Sequence, residues 1–303
     1  LFDEDACLEV MGELLTRLDI DVGNSGEYEN YYSILVHVSR IVKGKIEEFI
    51  SHIRALMSAH TKEEAIHEAL YFCSLYPAAA RAWKRCNTED LDLESLKWAI
   101  YQISEMANPW IFTVPCQQLV ENFGKAANRL LQRLSLEIGA LADADIDTFL
   151  LNNPVWRKPF ILMQNGDFFC GLPQAPYSFP FQIIEELLGG NQKIVEKYSS
   201  VKASYLEDKI AMIVRKSAPS AKVYTSVIWN DPDTGVRYEN DVLAIVGNFM
   251  FMFEAKSGKL NPGARRGANK SLMNDLQRLF IDPAAQAQRL QVHLNANHTS
   301  ANL

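Results

Sequence analysis

The sequence lacks long apolar runs, has few cysteines and contains fewer basic than acidic side chains. Its longest apolar runs are of strand length and are interrupted by Asp, Glu or Lys, and its N-terminus is acidic, so we find neither a membrane span nor a secretion signal. The cysteines are widely spaced, without a CxxC pair or a neighbouring histidine, which excludes a zinc-finger spacing and predicts reduced core residues. They are Cys7, Cys73, Cys86, Cys116 and Cys170. We therefore expect a cytoplasmic protein.

The charges are unevenly distributed along the chain. The net charge of -7 argues mildly against a nucleic-acid partner, because phosphate binding draws on Lys and Arg. However, residues 1–30 contain nine acids and a single base, Arg17, whereas residues 255–271 contain bases and no acid. We interpret the stretch KLNPGARRGANKS as a flexible loop that holds a polyanion, with an ordinary solvated loop as the alternative. The cations of this stretch that would contact phosphate are Lys259, Arg265, Arg266 and Lys270.

The chain divides into a helical part and a mixed part. Its 303 residues, 48% of them hydrophobic, suffice for two domains or for one large elaborated domain. We assign 1–150 to a helical domain, 151–198 to a connecting segment with a hairpin turn at Asn165-Gly166 and a Pro-rich stretch, and 199–303 to a second domain. Apolar residues at three- and four-residue spacing predict helices over 31–59, 63–76, 93–106 and 115–141.

The second domain alternates between element types. We predict a helix to about residue 217, a strand over 222–229, a reverse turn at DPDTG, a hairpin, the basic loop and a helix from 271 to about 294.

Residues 238–258, YENDVLAIVGNFMFMFEAKSG, predict a β-hairpin that brings two carboxylates together. Gly247-Asn248 suits a two-residue turn, and such a turn fixes the register on either side. In that register Asp241 faces Glu254, and Lys256 returns to the same face of the sheet two residues later. Because carboxylates so close repel each other, we expect a cation between them.

The alternation along both strands specifies this register. The predicted pairs are Val246–Phe249, Ile245–Met250, Leu243–Met252, Asp241–Glu254 and Glu239–Lys256. The opposite face is apolar, and we predict that it packs on the domain core through Val242, Ala244, Val246, Phe249, Phe251, Phe253 and Ala255. A one-residue slip would bury the acids, whereas one bulged residue in the turn would offset them within reach of one ion.

These residues resemble the signature of the PD-(D/E)XK nuclease superfamily, which is an Asp on one strand followed by Glu-x-Lys on the next. Here the matching residues are Asp241 and Glu254-Ala255-Lys256. The family also tends to carry a Glu on the helix before the sheet, matched by Glu207, and some branches add a Gln on the following helix, matched by Gln286 or by Gln288. The resemblance covers roughly the last third of the chain.

The resemblance implies an α/β (α+β) fold, in which a mostly helical N-terminal region precedes a restriction-endonuclease-like core with a central mixed sheet flanked by helices. It implies an endonuclease or exonuclease that uses Mg²⁺ or Mn²⁺, prefers DNA to RNA, and serves in restriction or phage defence, with a homodimer where both strands are cut. Asp241, Glu254 and Glu207 would bind the metal, and Lys256 would orient or activate the attacking water. Gln286 and Arg289 would position the substrate.

The sequence departs from the family pattern in two places. Asn240 stands where the family often has Pro before the Asp. The family core also ends in a strand, whereas this chain ends in NANHTSANL after its last predicted helix, and it begins with Leu1. We therefore expect a segment of a longer protein.

Two other interpretations stay open on the sequence. In one, the C-terminal domain is a catalytically silent module of a larger protein that binds nucleic acid or a protein partner, Asp241 and Glu254 are exposed strand acids, and Lys256 forms a surface salt bridge with Glu239. In the other, the acidic N-terminal region covers the basic loop and restrains the enzyme.

Overall fold

The structure is a computed structural model that describes residues 4–23, 26–145, 153–231 and 234–296. Its contacts divide the chain into two compact units. The first comprises Leu1–Leu15, Ser25–Ile146 and Asn153–Gly189, and the second comprises Thr16–Asn24, Asp147–Asn152 and Gly190–Leu303. The first unit therefore includes most of residues 151–198, which we predicted to be a connecting segment. Within the described ranges, no helix has the length and apolar character needed to cross a bilayer.

The first unit is built mainly from helices. They are α1 (Glu4–Val22, whose end belongs to the second unit), α2 (Glu27–Met57), α3 (Lys62–Leu75), α4 (Pro77–Trp83), α5 (Leu93–Ser104), α6 (Asn108–Ile111), α7 (Cys116–Phe123), α8 (Lys125–Arg133), α9 (Ala175–Ser178) and α10 (Pro180–Leu188). Three of the predicted helices are confirmed as α2, α3 and α5. The predicted helix over 115–141 is wrong, since Gly124 separates α7 from α8 at a φ of +70° and a strand follows α8.

A small mixed sheet completes the first unit. Its strands are β1 (Thr113–Val114), β2 (Ser135–Glu137), β3 (Phe160–Leu162) and β4 (Phe168–Phe169), in the order β1-β4-β3-β2. β2 and β3 are parallel, and the other neighbours are antiparallel. The predicted hairpin at Asn165-Gly166 is confirmed, because β3 and β4 pair across it and Gly166 has a φ of +85°.

The second unit contains a three-stranded sheet that follows a long helix. The helix is α11 (Gln192–Ser217), and the strands are β5 (Lys222–Asn230), β6 (Arg237–Val246) and β7 (Phe249–Phe253). β6 lies between β5 and β7 and is antiparallel to both. The strand and hairpin predictions are therefore confirmed. The described strands of this sheet are antiparallel throughout, and the parallel pair belongs to the first unit, so the mixed sheet predicted for this domain is not seen among them.

The register of the β6–β7 hairpin is the predicted one. Val246 pairs with Phe249, and Leu243 pairs with Met252. Gly247 turns the chain with a φ of +58°, while Asn248 keeps a negative φ, which fits the turn class that needs glycine at its first central position. Continuing the same register places Asp241 opposite Glu254, just beyond the last paired residues of β7.

The faces of the hairpin are buried only in part as predicted. On β6, Val242 and Ala244 of the predicted core face are fully buried, whereas on β7 Phe249 is 71% exposed and Phe251 is 49% exposed. Leu243, on the face predicted to carry the acids, is also buried, in a cluster with Trp229 and Leu290. The physical reason is that β7 lies at an edge of the sheet, whereas α11 packs against β5 and β6.

The chain after β7 is helical to the end of the described residues. A short helix, α12 (Pro262–Arg265), is followed by a continuous run of α13 (Asn269–Leu276), a π-helical turn (Gln277–Ile281) and α14 (Asp282–Ala296). The wider turn directly precedes Pro283, whose ring and missing N–H disfavour a regular α-helix at this point. Taken together, the described residues confirm the α+β class.

Candidate active site

The hairpin brings together the three residues of the predicted signature. Lys256 Nζ lies 3.7 Å from Asp241 Oδ2 and 3.8 Å from Glu254 Oε2. Asp241 is contributed by β6, and the other two residues lie in the extended segment that follows β7. Lys256 therefore pairs with the two acids, and not with Glu239 as in the surface-salt-bridge interpretation.

Glu254 is the most buried member of this group. Its side chain is only 4% exposed. Asn240 donates a hydrogen bond to Oε1, whereas Oε2 is buried and has no hydrogen-bond partner among the described residues. Burial raises the pKa of Glu254, and the Asp241 charge adds to this effect, while the hydrogen bond from Asn240 and the cations Lys256 and Arg289 oppose it.

Asn240 holds the buried carboxylate in place. Its side chain is fully buried. It accepts a hydrogen bond from Trp229 Nε1 at 2.8 Å and donates to Glu254. Asn240 thus links the acid to the buried indole ring, and a side chain without both a donor and an acceptor could not do so.

Asp241 is fixed by the backbone of the opposite strand end. Its Oδ2 accepts a hydrogen bond of 2.6 Å from the N–H of Ala255, and its side chain is 16% exposed. This bond links the two sides of the hairpin beyond the last regular pair, Val242 and Phe253. It therefore holds the Glu-x-Lys segment against β6 after the backbone pairing has ended.

Glu207 lies on α11 and lines the same cleft as Asp241. Burial raises its pKa, and the charges of Asp241 and Glu239 raise it further, while Lys256 lowers it. The neighbouring Asp208 is exposed and instead pairs with Arg17 at 2.7 Å. Of these two adjacent acids on the helix, Glu207 is the one that lines the site.

An open cleft of about 410 Å³ contains most of these groups. One face of α11 supplies part of its wall, at the three-, four- and eight-residue spacing of a helical stripe. The lining residues are Ser199, Lys202, Ala203, Glu207, Asp241, Ala255, Lys256, Ser257, Gly258, Arg278 and Leu279. Lys202 and Arg278 were absent from our sequence prediction. Their sequence signals are weak, since Lys202 is one of several lysines on a long helix and Arg278 lies in an element whose turn geometry the sequence does not specify.

Gln286 and Arg289 lie on α14, outside the set of residues that line the cleft. The Gln286 side chain donates a hydrogen bond to the backbone carbonyl of Glu239, and Arg289 lies over the Tyr238 ring, 4.7 Å from its centroid. The structure therefore places Gln286 as a support for β6, while Gln288 is exposed. These contacts do not bring either glutamine to the carboxylates.

The predicted basic cluster is exposed but more ordered than a flexible loop. Asn261 caps α12, accepting from the N–H of Ala264 at 3.0 Å and from the Ser271 hydroxyl at 2.6 Å. The buried Asp275 accepts from the N–H of Asn261 at 2.7 Å and pairs with Arg278, and these bonds lower the pKa of Asp275. The exposed cations on this framework are Lys259, Arg265, Arg266 and Lys270.

One of the N-terminal acids contacts the second unit away from the predicted basic loop. In the second unit, Asp21 pairs with Lys197 of α11 at 3.3 Å. Its partner is therefore on the long helix and not in the basic segment that follows β7.

Two acids, Glu207 and Asp241, line the cleft, whereas Glu254 does not. In the described ranges, no three His, Cys, Asp or Glu side chains are grouped so that they could hold a metal ion. Two observations nonetheless suit a divalent cation: Glu254 Oε2 is buried without a hydrogen-bond partner, and the Asp241 charge raises the pKa of both Glu254 and Glu207. Carboxylate oxygens are also the ligands that Mg²⁺ and Mn²⁺ prefer.

Comparisons with protein-family models, with curated proteins and with solved structures find no match for this chain. The five cysteines are all free. Cys73 and Cys170 are buried, as predicted for core residues, whereas Cys7, Cys86 and Cys116 are only partly buried.

Proposed function

We propose that the second unit is a metal-dependent nuclease with a restriction-endonuclease-like core, and that it hydrolyses phosphodiester bonds in the cleft beside β6. The observation that carries this proposal is Glu254 Oε2, which is buried without a hydrogen-bond partner and lies 3.8 Å from Lys256 Nζ, while the same ammonium group lies 3.7 Å from Asp241 Oδ2. Leaving a buried carboxylate oxygen without a partner is costly, which favours a ligand that completes the site.

Asp241, Glu254 and Glu207 would hold Mg²⁺ or Mn²⁺, which when bound supplies charge stabilisation to a phosphoryl group undergoing hydrolysis. The chain provides the support for this arrangement. Asn240 and the Ala255 N–H fix the orientations of the two hairpin carboxylates, so little reorganisation is needed when a substrate binds.

Lys256 is the candidate for the proton and charge chemistry. Its side chain is 34% exposed and reaches both acids, so its ammonium can orient an attacking water and stabilise negative charge that develops on the phosphate. Stabilisation of this kind accelerates a reaction only where it is stronger in the transition state than in the ground state.

The substrate is proposed from the resemblance and from the exposed cations. DNA is preferred to RNA on the resemblance alone. Lys259, Arg265, Arg266 and Lys270 are exposed near the residues that follow β7, where they can contact backbone phosphates. We also propose a cytoplasmic location, which agrees with the free cysteines.

The test is cleavage of linear, circular and single-stranded DNA and of RNA with Mg²⁺ or Mn²⁺, compared with the same reactions in EDTA. We expect Lys256→Ala to lower the rate by about 100-fold or more, because it removes both charge and orientation. Lys222→Ala, which removes an exposed lysine at the start of β5, is the matched control and should cut normally.

A second readout does not depend on turnover. Binding of Mn²⁺, followed by electron paramagnetic resonance, should weaken in Glu254→Gln and stay unchanged in Glu239→Gln, an exposed acid on the same sheet. The nuclease proposal fails if no substrate is cut and Mn²⁺ binding does not depend on Glu254. Nucleic-acid binding without cleavage would support the silent-module interpretation.

A further inference from the structure

Arg278 lies in the wall of the same cleft, on an element that the sequence resemblance did not use. The π-helical turn between α13 and α14 carries both Arg278 and Leu279, and both residues line the cleft together with Asp241 and Lys256. Single turns of this kind occur frequently at functional sites, because they redirect side chains within a helix.

The Arg278 guanidinium is anchored at one end only. Its Nη2 donates to Asp275 Oδ1 at 2.9 Å and to the carbonyl of Lys259 at 3.0 Å. A guanidinium has five N–H donors, and the described part of the chain supplies no acceptor for the other three. The side chain is 53% exposed, so those donors are accessible from the cleft. Because these two hydrogen bonds hold the guanidinium in place before a ligand arrives, less conformational entropy is lost on binding.

Gly258 makes room for this guanidinium. A Cβ at Gly258 would collide with Arg278 Nη1 and would lie 3.0 Å from Leu279 Cδ2. The backbone at Gly258 does not have a positive φ, so the glycine is needed here for close approach and not for turn geometry. A residue with a side chain at position 258 would therefore displace the Arg278 guanidinium.

The charges of the cleft suit a phosphodiester. Lys202, Lys256 and Arg278 line it together with Asp241 and Glu207, so an anionic ligand that also carries a divalent cation satisfies both signs. Both two-donor edges of a guanidinium include Nη2, which is engaged, so Nη1 and Nε are left to donate single hydrogen bonds to phosphate oxygens while Nη2 holds the group in place. A lysine has a single nitrogen and cannot be held by Asp275 and the Lys259 carbonyl while offering the same donors.

We propose that Arg278 is a phosphate-binding residue of this cleft, where its free donors hold a backbone phosphate of the nucleic acid next to the one that is cut. The inference rests on the proposed function for the identity of the substrate. In this assignment Asp275 and the Lys259 carbonyl position the guanidinium, and Gly258 keeps its approach to the cleft open.

The experiment is binding of a fluorescently labelled DNA oligonucleotide in EDTA, measured by anisotropy over a series of salt concentrations. We expect Arg278→Ala to weaken binding roughly tenfold to a hundredfold and to reduce the salt slope by about one. Arg278→Lys keeps the charge but loses the anchored guanidinium with its separate Nη1 and Nε donors, and it should recover only a small part of the affinity. The charge-matched control is Arg237→Ala, an exposed arginine at the start of β6 that does not line the cleft, which should change affinity by less than about threefold.

Gly258→Ala is the second variant, and it leaves Arg278 in place. Its methyl group meets the flexible end of the arginine, so we expect an unchanged unfolding midpoint but weaker binding. The inference is overturned if the wild-type protein does not bind the oligonucleotide, if Arg278→Ala loses no more affinity than Arg237→Ala, or if Arg278→Lys binds like the wild type.

This experiment separates the two proposals. If cleavage depends on Lys256 but Arg278→Ala binds the oligonucleotide as tightly as the wild type, the phosphate-binding role alone is overturned. Binding that depends on Arg278, in a protein that cuts no substrate with either metal, would overturn the nuclease alone.

Discussion

Replacing Glu254 by glutamine should stabilise the second unit at neutral pH when no divalent cation is present. Oε2 of Glu254 is buried without a hydrogen-bond partner, and an unsatisfied buried acceptor costs about 1–3 kcal/mol. Because Lys256 Nζ lies 3.7 Å from Asp241 Oδ2 and 3.8 Å from Glu254 Oε2, the two oxygens are at most about 7.5 Å apart, and their repulsion at an effective dielectric constant of 20 is about 2 kcal/mol.

The partner cation offsets part of this cost. Lys256 attracts Glu254, but its side chain is 34% exposed, so solvent screens the attraction and we allow it about 1 kcal/mol. Glutamine keeps the oxygen that accepts from Asn240, and its NH2 group takes the unsatisfied place of Oε2, so the variant removes the charge but does not recover the cost of the unsatisfied group. The relief of about 2 kcal/mol of repulsion, less about 1 kcal/mol of lost attraction to Lys256, leaves an expected rise of about 1 kcal/mol in the free energy of unfolding at pH 7.

The gain should depend on pH in a defined direction. The pKa of Glu254 is raised in the folded protein, so between its unfolded value of about 4.3 and the folded value the native state binds more protons than the unfolded state. The free energy of unfolding of the wild type therefore falls as pH rises through this window, and the full destabilisation by ionised Glu254 is present above it. Glu254→Gln has no such ionisation, so the difference in free energy of unfolding between variant and wild type should vanish below about pH 4.3 and be largest at neutral pH.

The assay is urea unfolding in EDTA at several pH values, with Glu239→Gln as the control. The control removes an exposed acid from the same strand and should shift the free energy of unfolding by less than about 0.5 kcal/mol. A Glu254→Gln protein that is less stable than the wild type at pH 7 would refute the reasoning, since it would show that the Lys256 pair outweighs burial and repulsion. Adding Mn²⁺ should narrow the difference by stabilising the wild type.

Three further predictions concern the framework of the site, and each is checked by denaturant unfolding. Leu290→Ala removes a fully buried side chain that packs against Leu243 and should cost about 2–5 kcal/mol, whereas a cost below about 1 kcal/mol would contradict the burial of this cluster. Asn240→Ala leaves the Trp229 N–H and Glu254 Oε1 without their partner and should cost about 1–3 kcal/mol, and an unchanged midpoint would argue against this hydrogen-bonded support. Gly247→Ala meets no atom within 4 Å but forces alanine to a φ of +58°, so we expect a loss of about 1 kcal/mol from strain alone, and a gain in stability would contradict the turn geometry.

The hairpin was predictable because its determinants are local. A glycine that can take a positive φ, followed by strands of alternating character, specifies both the turn and the register within a few residues. α2, α3 and α5 were predictable for the same reason, because their apolar residues recur at three- and four-residue spacing over several turns. The long helix predicted over 115–141 failed because its periodic pattern continued across Gly124, a residue that ends α7 by its backbone conformation.

The burial of the hairpin faces was not predictable from the hairpin itself. Its apolar face is the more hydrophobic of the two, yet Phe249 is exposed and Leu243 is buried. Which face is covered depends on where α14 packs, and that contact is made by Leu290, more than forty residues further along the chain. Sequence alternation shows that two faces differ, but it cannot say which partner each one meets.

The sequence by itself determined the order of helix and strands in the second unit, the pairing register of the hairpin, and the approach of Asp241, Glu254 and Lys256, because these follow from local periodicity, turn chemistry and two-residue alternation. Only the tertiary structure decided that Glu254 is buried beneath Asn240, that Gln286 supports the backbone of β6, and that Arg278 enters the cleft. These features depend on packing between segments distant in sequence, where the side chains share no common period and their solvation is set only by the folded chain around them.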